Sequence, residues 1–105
     1  LKKTELQPKD LAEICGIKKS TLNGYLKDQD AFPPARIDPG NGYRYYSQST
    51  VPALNLLKAM RKRPFRLKEY EIKPILTNED SAHLYDLYLQ SNEALYGFLR
   101  NKGYL

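Results

Sequence analysis

The chain has 105 residues, 41% hydrophobic and 28% charged, which gives room for one compact domain plus an extra helix around a modest core. Its formal net charge of +5 suits an anionic partner without demanding one. The single cysteine, Cys15, excludes an intramolecular disulfide and a Cys-rich zinc site, and no apolar run reaches the length of a membrane span.

The first predicted element is a helix over Pro8–Cys15. Pro8 suits a first helical turn, where its missing N–H is no loss. Leu11, Ile14 and Cys15 fall at i, i+3 and i+4 and predict one apolar face, and Gly16 is placed to end the helix. A second helix follows over about 19–28, with Leu22, Tyr25 and Leu26 at the same spacing. Only about three residues separate the two, which is the layout of a helix-turn-helix. The small residues Ala12 and Gly16 allow the close helix packing this needs.

Residues 31–46 read differently. Phe32-Pro33-Pro34 is followed by Arg36-Ile37-Asp38, and Asn41-Gly42 leads into Tyr43-Arg44-Tyr45-Tyr46. Asn-Gly between two β-prone segments is a hairpin signal, so a two-stranded wing is expected, about 35–38 paired with 43–46. Strand alternation puts Tyr43 and Tyr45 on one face and Arg44 and Tyr46 on the other. One face is expected to pack on the domain and the other to meet a partner.

A third helix is expected over about 49–62, capped at Ser47 or Ser49 with Pro52 near its first turn, and ended by Arg61-Lys62-Arg63-Pro64. Leu67–Lys73 predicts a short helix stopped by Pro74. The last element is expected to be one long amphipathic helix over Asn78–Lys102, capped by Thr77 or Asn78. Leu84, Leu87, Tyr88, Ser91, Leu95, Phe98 and Leu99 recur along it, and Gly103 lies past its end.

Charge divides along the same lines. Residues 1–76 carry 15 Lys/Arg against 8 Asp/Glu, a net of +7. Residues 77–105 carry Arg100 and Lys102 against Glu79, Asp80, Asp86 and Glu93, a net of −2. The expected organisation is a basic domain over 1–76 and an acidic helical tail over 77–105.

The string Asp10-Leu11-Ala12-Glu13-Ile14-Cys15-Gly16-Ile17 with Ser20-Thr21-Leu22 resembles the helix-turn-helix of MerR-type bacterial regulators. Phe32-Pro33-Pro34-Ala35-Arg36 and Asn41-Gly42-Tyr43-Arg44-Tyr45-Tyr46-Ser47 resemble that family's wing, and Leu67, Glu69 and Tyr70 the helix pair after it. The likeness covers about residues 6–76. Asn23 stands where the family usually has Arg, Gly24 where it usually has an aromatic residue, and Lys18 where a capping Ser is common. The resemblance implies a mostly α fold with a small two-stranded β wing, a winged helix-turn-helix followed by a C-terminal dimerisation helix. It implies a homodimer on double-stranded DNA, each recognition helix in the major groove and each wing against the backbone. It also implies transcription regulation with RNA polymerase at a promoter, and a cytoplasmic, nucleoid-associated bacterial location. Most members of that family sense a metal or drug through a C-terminal domain; here the tail ends soon after the long helix. The expectation is a chain without that domain, a minimal form or part of a longer protein.

Phosphate contacts set affinity and register, whereas base-edge contacts set sequence choice. Lys18, Lys19, Ser20 and Thr21 cluster at the start of the second helix, whose N-terminal dipole favours a phosphate. Asn23 can pair with adenine. Tyr25 is either a phosphate donor or a core aromatic. Arg44 and Tyr46 on the wing, with Arg36 on the facing strand, complete the expected DNA contacts. Arg61-Lys62-Arg63 and Arg66 are either further contacts or a solvated helix end.

Leu84, Leu87, Tyr88, Leu95, Phe98 and Leu99 are the expected dimer stripe; the same stripe can also fold back on its own domain. Tyr85, Tyr88, Tyr96 and Tyr104 in the tail fit a partly exposed interface. His83 is the lone histidine, no cofactor or metal site is expected, and no nucleophile, paired-carboxylate or phosphate-loop motif points to an enzyme. Two other functions stay open: an architectural or accessory DNA-binding protein, excisionase-like or a plasmid or phage segregation factor, and a protein–protein adaptor that has lost DNA binding.

Overall fold

The computed structural model describes residues 5–105. Among these residues, six helices and a small antiparallel sheet follow in the order β1 (Glu5–Leu6), α1 (Pro8–Cys15), α2 (Lys19–Leu26), β2 (Arg36–Ile37), β3 (Arg44–Ser47), α3 (Thr50–Met60), α4 (Glu69–Asn78), α5 (Ser81–Gln90) and α6 (Asn92–Asn101). The described residues form two compact units that divide between Val51 and Pro52. The division falls inside α3.

In the first unit, α1 starts with Pro8 at its first position, and the Asp10 carboxylate accepts the Gln7 N–H at 3.0 Å. It ends at Gly16, whose φ of 64° is left-handed and whose N–H returns to the Ala12 carbonyl. Leu11 and Cys15 are buried, but Ile14 is 54% exposed. The buried stripe of so short a helix is the single i, i+4 row; Ile14 falls beside it. The turn Gly16-Ile17-Lys18 leads into α2, which buries Leu22 and Leu26 and leaves Tyr25 half-buried. This helix ends at Leu26, two residues sooner than expected, and Asp28 Oδ1 then accepts the Asp30 and Ala31 N–H groups.

The wing is wider than the expected ribbon. Its sheet has three strands in the order β1-β3-β2, because Glu5 and Leu6 pair antiparallel with Ser47 and Tyr46. On the other side Arg36 faces Tyr45 and Ile37 faces Arg44. The ladder extends to the Ala35 N–H on the Tyr45 carbonyl at 2.8 Å and the Asp38 N–H on the Tyr43 carbonyl at 2.9 Å. The turn beyond is held by its own side chains. Asp38 Oδ1 accepts from Gly40 N at 2.7 Å and Asn41 N at 3.4 Å, the Asp38 carbonyl from Gly42 N at 2.8 Å, and Asn41 Oδ1 from Tyr43 N at 2.9 Å. Gly42 takes φ 73°, the left-handed conformation that the Asn-Gly pair supplies.

The second unit is helical. The chain leaves α3 through Arg61–Lys68, where the Leu67 N–H bonds the Met60 carbonyl and Arg61 Nη1 donates to Glu69 Oε1 at 2.6 Å. Pro74 does not stop the next helix: α4 runs through it to Asn78. Pro74 is exposed, so the lost hydrogen bond falls on the solvent side, while Ile72, Ile75 and Leu76 are buried on the other.

The expected single helix over 78–102 is instead two. Asp80 caps α5, its Oδ1 accepting the Ala82 N–H at 3.1 Å. At Ser91 the backbone is extended, and Ser91 Oγ accepts the Ala94 N–H at 3.0 Å, starting α6. The two helices pack on each other. Ser91 was counted in the apolar stripe; it works as a cap because a hydroxyl satisfies a helix N-terminus better than it fills a core.

Candidate nucleic-acid interface

Alternation along β3 explains what surrounds the wing. Leu6, Ile37, Arg44 and Tyr46 share one face, and Glu5, Arg36, Tyr45 and Asp38 the other. Tyr46 and Leu6 are buried, so this first face is turned inward at its root. Tyr46, expected to share a partner-facing surface with Arg44, is fully covered, and its hydroxyl has no hydrogen-bond partner among the described residues. The two residues do share a face. Two residues nearer the turn, Arg44 emerges from that face and is exposed.

Between the wing and α2 lies a cleft of about 620 Å³. It is lined by Gln7, Pro8 and Lys9 from the start of α1, Lys19, Asn23, Leu26 and Lys27 from α2 and its end, and Gly42, Tyr43, Arg44 and Tyr46 from the wing. Four of the eleven carry a positive charge and none is acidic. Lys19, Asn23 and Lys27 stand four residues apart, so α2 turns one polar row into the cleft.

Of the residues expected at a DNA contact, Lys19, Asn23, Arg44 and Tyr46 come together in this cleft. Lys18, Ser20 and Thr21 are exposed at the first turn of α2, beside it in sequence. Tyr25 is half-buried and is not among the lining residues. Arg36 lies on the opposite face of the sheet and is engaged there. Its Nε donates to Glu5 Oε2 at 2.9 Å, and its guanidinium lies 4.2 Å from the Tyr45 ring centroid. The Glu5 hydrogen bond holds the Arg36 pKa above its ordinary value.

Lys9, Lys27 and Tyr43 were not singled out from the sequence. The i, i+4, i+8 row Lys19-Asn23-Lys27 carried a signal for one of them. Lys9 reaches the cleft only through the fold, and Tyr43, 58% exposed, was assigned by alternation alone to the other face.

The stripe expected to pair with a second copy is partly used within the chain. Leu84, Leu95 and Leu99 are fully buried in the second unit, whereas Leu87, Tyr88 and Phe98 are half-exposed. His83 packs edge-on against Phe98, with ring centroids 5.6 Å apart. Among the described residues, no group of three or more His, Cys, Asp or Glu side chains is placed to hold a metal. Nor is any helix among them long and apolar enough to cross a membrane.

Two short helices joined by a glycine turn, followed by a β hairpin that shares a basic cleft with the second helix, define a winged helix-turn-helix. The profile of the MerR HTH family of regulatory proteins matches residues 6–78, and the chain belongs to that family. It is similar to the mercuric resistance operon regulatory protein of Bacillus cereus, 34% identical over 79 residues that cover 75% of this chain and 58% of that protein. It is also similar to the HTH-type transcriptional regulator CueR of Escherichia coli O6:H1 and O157:H7, 32% identical over 78 residues, 74% of this chain and 56% of each. The chain thus matches little more than half the length of these relatives, all named as regulators. No solved structure matches it.

Proposed function

We propose that the chain binds double-stranded DNA as a site-specific transcriptional regulator, with α2 in the major groove and the wing on the adjoining backbone. The cleft carries this reading: Lys9, Lys19, Lys27 and Arg44 converge with no acidic residue in its lining, between the helix and hairpin that this fold presents to DNA. Lys18, Ser20 and Thr21 extend the polar surface along the first turn of α2, where backbone N–H groups favour phosphate. Asn23 is the exposed amide in the row, suited to the paired acceptor and donor of an adenine edge. Tyr25 at its half-buried edge is a phosphate donor at most. Tyr46 forms the floor of the cleft.

A homodimer, one copy on each half of a two-fold site, is the assembly this function uses. Leu87, Tyr88 and Phe98 are the part of the expected stripe left for that contact; Leu84, Leu95 and Leu99 support it from beneath. In this reading the partners are DNA, a second copy and RNA polymerase at a promoter, and the setting is the bacterial cytoplasm.

The test is selection from a pool of random duplexes at several salt concentrations, followed by sequencing of what is retained. An enriched two-fold motif whose retention falls with salt supports the regulator. Salt-dependent binding without a motif points to an architectural protein. No retention at low salt overturns DNA binding and leaves an adaptor.

A further inference from the structure

The wing is fixed by little backbone. β1 and β2 are two residues each, they lie on opposite sides of β3, and each meets it through two residue pairs. One side chain crosses all three strands. Arg36 starts on β2 and passes over the Tyr45 ring on β3. It ends on Glu5 of β1, with Nε 2.9 Å from Oε2 and Nη2 3.5 Å from Oε1. Asp38 Oδ2 lies 3.8 Å from Nη1 on the near side, and Gln7 Nε2 donates to the Tyr45 hydroxyl at 3.4 Å. Glu5, Arg36, Asp38 and Tyr45 lie on the sheet face opposite Arg44 and Tyr46 and are not among the residues lining the basic cleft; Gln7 links that face to the cleft, which it also lines.

We propose that Arg36 is a positioning residue, a strap that holds the wing to β1 and thereby sets the cleft between wing and α2, and that it does not itself touch DNA. The consequence for DNA rests on the function proposed above; the strap itself belongs to the free protein. Exposed ion pairs contribute little to stability. A two-pronged guanidinium–carboxylate pair stacked on an aromatic ring is nonetheless strongly directional, and a lysine reproduces neither the fork nor the stacking. Its effect is on how the hairpin is set against β1, which the two residue pairs Glu5–Ser47 and Leu6–Tyr46 join to it.

Glu5 gives the test its sign. Arg36→Ala, Arg36→Lys, Glu5→Ala and the double variant Glu5→Ala/Arg36→Ala are compared for duplex affinity across salt concentrations. The strap predicts that each single variant binds about three- to fivefold more weakly, that the double variant is no worse, and that the salt slope is unchanged. A phosphate-binding Arg36 predicts the reverse. Freeing it by Glu5→Ala would tighten binding, Arg36→Lys would largely retain it, and Arg36→Ala would flatten the slope by about 0.9. That pattern overturns the proposal. Amide hydrogen exchange of the DNA-free protein gives a second reading. The Ala35 and Asp38 amides, bonded across the hairpin, should exchange faster in Arg36→Ala and Glu5→Ala alike. Unchanged exchange in both variants also overturns the strap. If the wild-type chain binds no duplex, the DNA reading falls, and the exchange rates alone decide for or against the strap.

Discussion

The Tyr104 hydroxyl donates to Glu79 Oε2 at 2.7 Å, across 25 positions of sequence, and so ties the chain just past α6 to the junction of α4 and α5. Gly103 makes this possible: its φ of 87° turns the chain at the end of α6, and the Tyr104 N–H closes the turn on the Leu99 carbonyl at 2.9 Å.

This bond should make the second unit sensitive to alkali. The Glu79 hydrogen bond, with a smaller contribution from burial, raises the Tyr104 pKa above its ordinary value of 10.0. A raised pKa means the contribution is fully present below the unfolded value and is lost as pH rises through the folded one. Thermal melts followed by circular dichroism should show wild type more stable than Tyr104→Phe at neutral pH. The two should converge above about pH 10. A difference that persists in strong alkali would sink the assignment.

Tyr46→Phe should stabilise the free protein. The hydroxyl is buried and has no partner among the described residues, so its removal relieves a desolvation penalty of about 1–3 kcal/mol and leaves the ring in place. Urea unfolding should give a higher midpoint with the same slope. Tyr46→Ala, by contrast, should cost about 3–5 kcal/mol through the cavity it leaves.

Ser91→Ala should destabilise the α5–α6 pair by roughly 1 kcal/mol, the usual loss when a hydroxyl cap is removed. Helix content should stay the same. A variant with more helix and a doubled mass in sedimentation would show instead that Ser91 alone keeps the two helices from fusing and pairing.

At the cleft, Arg44→Ala should weaken all duplexes alike and reduce the salt slope by about 0.9, as loss of one phosphate contact does. Lys27→Ala should do the same. Asn23→Ala should instead change sequence preference, by about 1–3 kcal/mol at one base position. Affinity measured on a panel of single-base operator variants separates the two behaviours.

Much of the first unit could be read directly. Pro8 and Gly16 bracket α1 because both act through the backbone, and Asn41-Gly42 marks the wing turn for the same reason. What escaped depends on distant pairing. Glu5 and Leu6 have no strand pattern of their own and become β1 only by joining β3. Pro74 looked like a stop, but three buried neighbours on the opposite side outweigh one lost hydrogen bond. Of the apolar run from Leu84 to Leu99, Leu84, Leu95 and Leu99 are buried, while Leu87, Tyr88 and Phe98 are half-exposed and Ser91 is a cap. The run could not distinguish a continuous helix from a hairpin, since three- and four-residue spacing is the same in both. At the cleft, the helix-borne residues were visible as a row, while Lys9 and Tyr43 needed the fold to bring them in.

The wing turn carries one more consequence. Pro39 has no N–H, and those of Gly40, Asn41, Gly42 and Tyr43 are all bonded within the loop, chiefly to Asp38 and Asn41. Its conformational entropy is therefore lost when the chain folds, not when it meets a partner. Association need not order the loop again, and a larger share of each new contact remains as affinity.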